Sequence, residues 1–502
     1  MLEKINNQKG ILNLIIFSCI VLFFNLNQVM DYVLVVLLVY TLFKADIIEI
    51  LYSFLFFSFF DDALQFSLFG GSISRVIMII MFLRGAIYVI RYRIKPSKKE
   101  IIIASFLMAS LAIGIITNNF SFGDIIICVN IALLVVYSLI GRYEIKDINK
   151  ALKDICTYVF VAVIIAIIYG TIRGNFLFEE TGSLQVYRFS GTYEPNFMGM
   201  YINIAIVIVL FTPGIKKAIR YIILAFLIGS LGMTLSMSGI AICGIALIIY
   251  IFCQKKEILR RFFEVSIAGI LALVIFIVGQ YSFTMVNHIS LSTQDAEEVT
   301  EQQETTETVE DYQENVETTE PLPEETDVDG NDDVEAPVTP PDENVEDSSD
   351  SSITVDEVVE KNFLVQRLET LWTELKEGDF DTLTSGRLPI IRSFLTASFD
   401  RSAIEILFGN GLQDEQIYCE FFGRDKEAHN SYINCLYNFG IVGFVLIMIG
   451  LVKILKNPKI FGYDLKTSTY GKTFMVMQWM LLLYALVLSL YTKRMFLAFF
   501  IL

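Results

Sequence analysis

The residues best suited to chemistry are a histidine and two arginines that lie beside long apolar runs. His429 stands among polar residues just before such a run. An imidazole can take a proton from a hydroxyl near neutral pH, because its ordinary pKa is about 6.5. Arg188 and Arg387 occur in segments rich in glycine and small polar residues. A guanidinium binds two phosphate oxygens at once, so the pair predicts either a pyrophosphate grip or ordinary surface ion pairs and head-group contacts.

The second histidine, the cysteines and the absence of metal and nucleotide motifs limit the kinds of chemistry to be expected. The second histidine, His288, adjoins an acidic stretch and is predicted to be structural or solvent-exposed. The seven cysteines form no CxxC pair, and the sequence has neither an HExxH pattern nor a P-loop. We therefore predict no metal site, no cofactor and no ATP-driven work.

Short motifs surround the candidate residues in a fixed order along the chain. Each of them is a weak signal alone, and all lie on or next to one predicted face of the protein. They are RFSGTYEPN (188–196), TLSMSG (234–239, predicted to be helical), SGR (385–387), FGNG (408–411) and HNSY (429–432).

In this order the motifs are similar to those of the O-antigen polymerase and O-antigen ligase superfamily of bacterial membranes. The resemblance covers about 185–245 and 362–453. It implies a metal-independent glycosyl transfer in which a glycan leaves undecaprenyl pyrophosphate and joins a sugar hydroxyl. Three features depart from the pattern: Met237 stands where many members have arginine, Glu194 stands in place of an aspartate and keeps its charge, and the chain carries a long acidic insert.

The resemblance also implies roles for individual residues. His429 would be the base or would position the acceptor, while Arg387 and Arg188 would hold and neutralise the pyrophosphate. Arg392 or Arg173 would replace the cation missing at Met237. Further substrate-binding candidates are Glu194, Asn196, Asn430 and Tyr432, and the motif glycines are Gly191, Gly409, Gly411, Gly440 and Gly443.

The elements that must position these residues are membrane helices. Hydrophobic residues make up 54% of the 502-residue chain and charged residues 19%, with a mean hydropathy of +0.57. A typical soluble chain contains about 45–50% apolar residues and about 25% charged residues. We predict an all-α polytopic membrane protein with 12–14 spans and a retained first helix. The apolar runs are 11–26, 30–43, 46–60, 73–90, 101–117, 124–141, 155–171, 197–212, 219–235, 238–253, 265–282, 430–453 and 473–490.

Basic residues predict the orientation of these spans, because cytoplasmic loops carry excess Lys and Arg. With the N-terminus inside, five basic loops alternate with base-poor ones. This predicts a multi-pass membrane protein with 172–196 and 283–429 outside, and the resemblance implies that the membrane is the bacterial cytoplasmic membrane. The basic loops contain Arg91, Arg93, Lys95, Lys98 and Lys99; Arg142, Lys146, Lys150 and Lys153; Lys216, Lys217 and Arg220; Lys255, Lys256, Arg260 and Arg261; and Lys453, Lys456 and Lys459.

Three regions follow from this layout: an N-terminal bundle (1–282), an external loop (283–429) and C-terminal helices (430–502). Within the loop, 292–360 holds 26 of the 55 acidic residues and no Lys or Arg. Such a composition predicts a disordered tether, which acts as a spacer or binds cations or cell wall. The remainder, 361–429, is predicted to be ordered and to carry catalytic residues, with a short helix over 387–399.

Taken together, these features favour a polymerase of lipid-linked oligosaccharide repeat units into a capsular, O-antigen or exopolysaccharide. A ligase that attaches glycan to a lipid, protein or wall acceptor is the related alternative, and a lipid-linked glycan flippase is the alternative from another class. Expected partners are the undecaprenyl-pyrophosphate-linked oligosaccharide, the growing glycan, a chain-length regulator and a flippase. No nucleic acid is expected.

Overall fold

The computed structural model describes one compact unit formed by residues from both sides of the acidic insert. The predicted tether and most of the predicted span 101–117 lie outside the described residues. Those described are 2–61, 63–66, 71–98, 100–102, 105–106, 109, 112, 122–181, 184–192, 194–253, 257–280, 373, 376, 378, 381, 386–409, 411, 416–490 and 493–501.

Helices dominate the described part, as predicted for the fold class. They are α1 (Leu2–Phe23), α2 (Gln28–Lys44), α3 (Ile47–Phe57), α4 (Ile73–Tyr92), α5 (Phe122–Glu144), α6 (Ile148–Ile172), α7 (Pro195–Phe211), α8 (Lys217–Met233), α9 (Met237–Phe252), α10 (Ile258–Gln280), α11 (Arg387–Phe399), α12 (Ala403–Phe408), α13 (Ser431–Lys456), α14 (Gly471–Tyr484) and α15 (Arg494–Ile501). The second and third apolar runs form two separate helices, and the short helix predicted over 387–399 is present as α11.

Short antiparallel hairpins add to the helical architecture, and the apolar pattern did not predict them. The longest pairs β3 with β4, from Phe176 opposite Phe189 to Thr181 opposite Leu184. This hairpin follows α6 and ends just before the motif glycine Gly191. The strands are β1 (Gln65–Phe66), β2 (Gly71–Ser72), β3 (Phe176–Thr181), β4 (Leu184–Phe189), β5 (Gln416–Cys419), β6 (Arg424–Glu427), β7 (Lys459–Ile460) and β8 (Tyr463–Asp464).

Helix α7 is the centre of the bundle. Its residues are apolar on every side, a pattern typical of a fully buried helix, and nearly all of them are buried. Helices α6, α8, α9 and α14 pack around it. The N-terminal end of α7 therefore has a fixed position relative to four neighbours.

The outer surface of the bundle is apolar, as expected of a membrane protein. Ile90, Ile172 and Ile270 are each more than 60% exposed. Five helices in the described part are long and apolar enough to cross a bilayer: Ile73–Tyr92, Ile127–Glu144, Ile148–Ile172, Ile258–Gln280 and Ser431–Lys456. Shorter apolar helices are Lys9–Phe23, Ile47–Phe57, Pro195–Phe211 and Met237–Phe252. The larger number of 12–14 spans stays a prediction.

Contacts between loops divide the bundle into two ends. At one end, which we name the motif end, Arg173 donates to the carbonyl of Phe24 and Thr192 donates to that of Phe59 at 2.7 Å. At the opposite, base-rich end, Tyr463 donates to the carbonyl of Ile145 at 2.6 Å. Loops predicted to share a side of the membrane thus contact one another. The assignment of the base-rich end to the cytoplasm stays a prediction.

Helix α14 ends at Tyr484, six residues before the predicted end of this span. Backbone at membrane depth must have its polar groups satisfied by protein. Ser431 provides the hydrogen bonds that this backbone needs. Its hydroxyl donates to the carbonyl of Leu488 at 2.7 Å and accepts from the amide of Leu490 at 2.7 Å. Ser431 of α13 therefore satisfies backbone groups of Leu488 and Leu490, where the chain has left the helix.

Candidate active site

Four helices begin at the motif end close to one another: α7, α9, α11 and α13. The residues at their starts are linked. The Ser236 hydroxyl, which caps α9, donates to Asn196 of α7 at 3.0 Å. Arg387, the first residue of α11, interacts electrostatically with Glu194, the N-cap of α7. A helix N-terminus carries about half a positive charge, so this end of the bundle is electropositive.

Arg188 joins the hairpin to this site. It lies near the end of β4, opposite Leu177. Its Nε donates to the carbonyl of Thr234 at 3.2 Å, and Nη2 donates to Oδ1 of Asn196 at 3.4 Å. The guanidinium therefore bridges the break between α8 and α9 and the start of α7, and it also lies within electrostatic range of Arg387.

The break between α8 and α9 corrects the prediction that TLSMSG lies within a helix. Helix α8 ends at Met233 and α9 begins at Met237. Leu235 has a positive φ of 48°, which turns the chain out of the helical path. The carbonyl of Thr234 is thereby left available to Arg188. Met237, in the position of the absent arginine, is the first residue of α9.

Glu194 and Asn196 form the acidic side of the site. The Nδ2 of Asn196 donates to Oε1 of Glu194 at 2.9 Å. Pro195 between them occupies the first position of α7, where its missing N–H costs nothing. The carboxylate of Glu194 faces Arg387 and His429. It balances part of the positive charge at the site.

Arg387 is half-buried, and its position depends on a glycine. Gly386 caps α11 with φ of 73°, and a Cβ there would collide with the ring of Phe422. Burial lowers the pKa of Arg387, Glu194 raises it and Arg188 lowers it. The side chain stays charged because an arginine in protein does not lose its proton. A partly desolvated guanidinium binds an anion more strongly than an exposed one does.

His429 lies between β6 and α13 in a left-handed backbone conformation, with φ of 45°. Its side chain is half-buried. Burial lowers the pKa of His429, Glu427 and Glu194 raise it, and Arg387 and Lys426 lower it. The net result is a pKa below the ordinary value. The imidazole is thus neutral near pH 7 and able to accept a proton.

Asn430 and Tyr432, predicted to bind substrate, make contacts within the protein. Oδ1 of Asn430 accepts from the amides of Tyr432 and Ile433 at 3.0 and 3.2 Å, and its Nδ2 donates to the carbonyl of Leu486 at 3.0 Å. The Tyr432 hydroxyl donates to the carbonyl of Leu482 at 3.0 Å. Tyr432 thus attaches α13 to α14, and Asn430, the neighbour of His429, attaches it to the segment that follows α14.

Arg392 and Arg173, the two arginines expected to replace the missing cation, make contacts outside the cluster. Arg392 forms an ion pair with Asp381 at 3.1 Å, and its side chain is 67% exposed. Arg173 donates to the carbonyl of Phe24 and lies 5.6 Å from the ring centroid of Tyr169. Neither contact joins these arginines to Glu194, Arg387 or His429.

The motif glycines permit close backbone contacts. Gly409 and Gly440 both have positive φ, of 76° and 61°. A Cβ on Gly409 would collide with the carbonyl of Asn438, and one on Gly440 would collide with the backbone of Leu407. Helix α12 therefore lies directly against a kink in α13. Gly191 and Gly443 likewise have no room for a Cβ, and the amide of Gly411 donates to the carbonyl of Asn438 at 2.9 Å.

One further cation reaches the motif end. The Nζ of Lys493 lies 5.0 Å from the ring centroid of Phe197, the residue that follows Asn196. The irregular 485–490 segment brings it there. One feature of the sequence could have indicated this residue. The loop pattern places Lys493 on the side of the membrane where basic residues are rare, so a lysine there is unexpected.

Comparison of the chain with protein-family models found no match, and neither curated proteins nor solved structures gave a match. Among the described residues, no group of three or more His, Cys, Asp and Glu side chains could hold a metal ion.

Proposed function

We propose that this membrane protein polymerises lipid-linked oligosaccharide repeat units into a surface polysaccharide. The donor is a glycan on undecaprenyl pyrophosphate at the outer face of the bacterial cytoplasmic membrane. One observation carries the proposal: Arg188, Arg387 and the N-termini of four helices converge beside a half-buried histidine. The order of the motifs supports the same reaction class.

The cations suit a pyrophosphate leaving group. As the bond from the anomeric carbon to the pyrophosphate oxygen breaks, that oxygen takes the electron pair and gains negative charge. Two guanidinium groups and the helix N-termini stabilise this charge, and they do so without rearrangement because the protein holds them in place. Arg387 is held by the glycine-capped start of α11, and Arg188 by Thr234 and Asn196.

His429 suits the acceptor half of the reaction. Its neutral imidazole takes the proton of a sugar hydroxyl while the oxygen forms the new bond to the anomeric carbon. Glu194 and Glu427 stabilise the imidazolium that results, since both raise the pKa of His429. The proton then passes to solvent, and the lipid pyrophosphate departs as the second product.

Purified protein in proteoliposomes, supplied with lipid-linked repeat units, tests the proposal. Wild type should produce a ladder of polymer lengths. His429→Ala and Arg387→Ala should lose the ladder, with rates at least ~100-fold lower, because proton transfer and leaving-group stabilisation each contribute about that much. The matched control is Arg392→Ala, on the same helix but paired with Asp381 at the surface, which should keep the wild-type ladder.

The same assay separates the alternatives. A single transfer product in place of a ladder would identify a ligase. Translocation of labelled lipid-linked glycan without any transfer product would identify a flippase. A wild-type ladder from the His429→Ala variant would overturn the assignment of the base.

A further inference from the structure

A cavity lies at the base-rich end of the bundle. Its volume is about 1190 Å³, and it lies between α1, the turn from α2 to α3, the last half of α4 and the first half of α6. None of the residues at the candidate active site lines it. The cavity therefore requires an explanation that does not involve the glycosyl transfer proposed above.

Three lysines line one side of this cavity: Lys146, Lys150 and Lys153. Lys146 lies in the turn before α6, and Lys150 and Lys153 are three residues apart, hence on one face of the helix. Within the described part of the chain, none of their ammonium groups forms an ion pair or a hydrogen bond. Three such cations on one wall favour an anionic ligand.

Acidic residues also line the cavity, but most of them are engaged by the protein. They are Asp46, Glu49, Glu144, Asp147 and Asp154. Asp147 caps α6 by accepting from the amides of Asn149 and Lys150 at 2.9 and 3.3 Å. Asp46 and Glu49 form a capping box at the start of α3, and Glu49 also accepts from Asn13 at 3.1 Å. Helix capping therefore accounts for these carboxylates.

The remaining two acids, Glu144 and Asp154, form no ion pair with the three lysines. Glu144 accepts a hydrogen bond from the hydroxyl of Tyr88. Asp154 attracts Lys150 and Lys153 only at longer range than an ion pair. Five cationic side chains, including Arg84 and Arg91, and five carboxylates line the cavity, so its formal charge is balanced. The carboxylates other than Asp154 already accept hydrogen bonds from neutral groups of the protein, whereas the three ammonium groups have no such partner among the described residues. Free hydrogen-bond donors therefore exceed free acceptors on this wall, which suits the oxygen atoms of an anionic ligand.

The other walls of the cavity are apolar. Ile11, Leu14, Phe43, Ile47, Ile48 and Ile87 line it. Tyr88 and Tyr92 stand at its edge with ring centroids 4.4 Å apart, and tyrosines are enriched where a membrane meets water. A small soluble anion would gain nothing from these walls, whereas acyl chains would bury apolar surface against them.

We propose that this cavity binds an anionic phospholipid of the leaflet at the base-rich end. The phosphate lies against Lys146, Lys150 and Lys153. The parts of the acyl chains nearest the head group lie against the isoleucines of the apolar walls. Basic pockets between membrane helices are known to bind phospholipid head groups in this manner.

Native mass spectrometry of the full-length protein tests this with phosphatidylglycerol and phosphatidylcholine as probes. Wild type should retain phosphatidylglycerol in preference. The triple variant Lys146→Ala/Lys150→Ala/Lys153→Ala should bind it at least ~10-fold more weakly, given about 1 kcal/mol for each lysine near anionic lipid. The matched control Lys216→Ala/Lys217→Ala/Lys459→Ala removes three exposed lysines outside the cavity and should bind it within ~2-fold of wild type.

A second variant keeps the charge. Ile87→Trp should fill the apolar wall and weaken lipid binding by a similar factor; Ile87 is 65% exposed, so the larger side chain does not disturb the core. Equal losses in both lysine triples, equal binding of the two lipids, or full competition by soluble glycerol phosphate would each overturn the proposal. None of these measurements uses glycosyl transfer, so they are independent of the proposed function.

Discussion

Arg387 and Glu194 interact across the starts of two helices that are nearly 200 residues apart in sequence. Arg387 is the first residue of α11, and Glu194 is the N-cap of α7. The pair brings the segment that follows the acidic insert to the start of α7, the central helix of the bundle. Arg188 also lies within electrostatic range of Arg387, so this is where the proposed function places the pyrophosphate of the donor.

The pH dependence of transfer should report His429. Because burial lowers its pKa, kcat/KM should fall on the acid side with a midpoint below the ordinary value of about 6.5. Glu427→Gln removes a charge that raises this pKa, so its acid limb should move to still lower pH. Measured pH–rate profiles of the two proteins check this. A limb that stays in place in Glu427→Gln would contradict the assignment of the titration to His429.

Arg387→Lys should separate charge from geometry. Lysine keeps the positive charge but lacks the planar fork that binds two phosphate oxygens. We expect a rate about 10-fold or more below wild type, and above that of Arg387→Ala. Initial rates of ladder formation measure this, and Arg392→Lys is the control, with no expected change. Equal rates for Arg387→Lys and wild type would show that charge alone is needed.

Lys493 is expected to help bind the donor. Lys493→Ala should raise KM for the lipid-linked donor several-fold, about 1 kcal/mol, because a cation near the start of α7 is lost. Lys493→Arg should restore KM, since it keeps the charge and contacts the ring of Phe197 as well. A purely structural role would lower the amount of folded protein in both variants and leave KM unchanged.

The close contact between Gly409 and the kink at Gly440 should be sensitive to a single methyl group. Gly440→Ala should destabilise the protein by about 2 kcal/mol or more, because the added Cβ meets the Leu407 backbone at a positive φ. Gly450→Ala, on the same helix, is the matched control, since its Cβ would meet nothing within 4 Å. Thermal unfolding in detergent measures both. Equal unfolding temperatures would contradict the packing argument.

The sequence by itself determined the membrane character, the ranges of most helices and the segments that hold the candidate residues. Hydropathy patterns and helix-capping signals arise from residues that are close in sequence, so they can be recognised without the fold. Helix α11, for example, begins and ends where the sequence predicts. Only the tertiary structure decided which candidates meet. Asn430, a predicted substrate-binding residue, holds the start of α13 against Leu486. Its partner lies 56 residues away, and a local pattern carries no information about such a contact.

Three further features of the site came from packing alone. The break at Leu235 exposes the carbonyl that Arg188 binds, and the irregular 485–490 segment brings Lys493 to Phe197. The first interrupts the TLSMSG segment, which was predicted to be helical, and the second lies inside the apolar run 473–490, where hydropathy predicts an uninterrupted helix. Arg392 and Arg173 carry the same charge as Arg387, but Arg392 pairs with Asp381 and Arg173 donates to the carbonyl of Phe24. Residue type and spacing thus determined the chemistry that was available, and the folded chain decided which groups share one site.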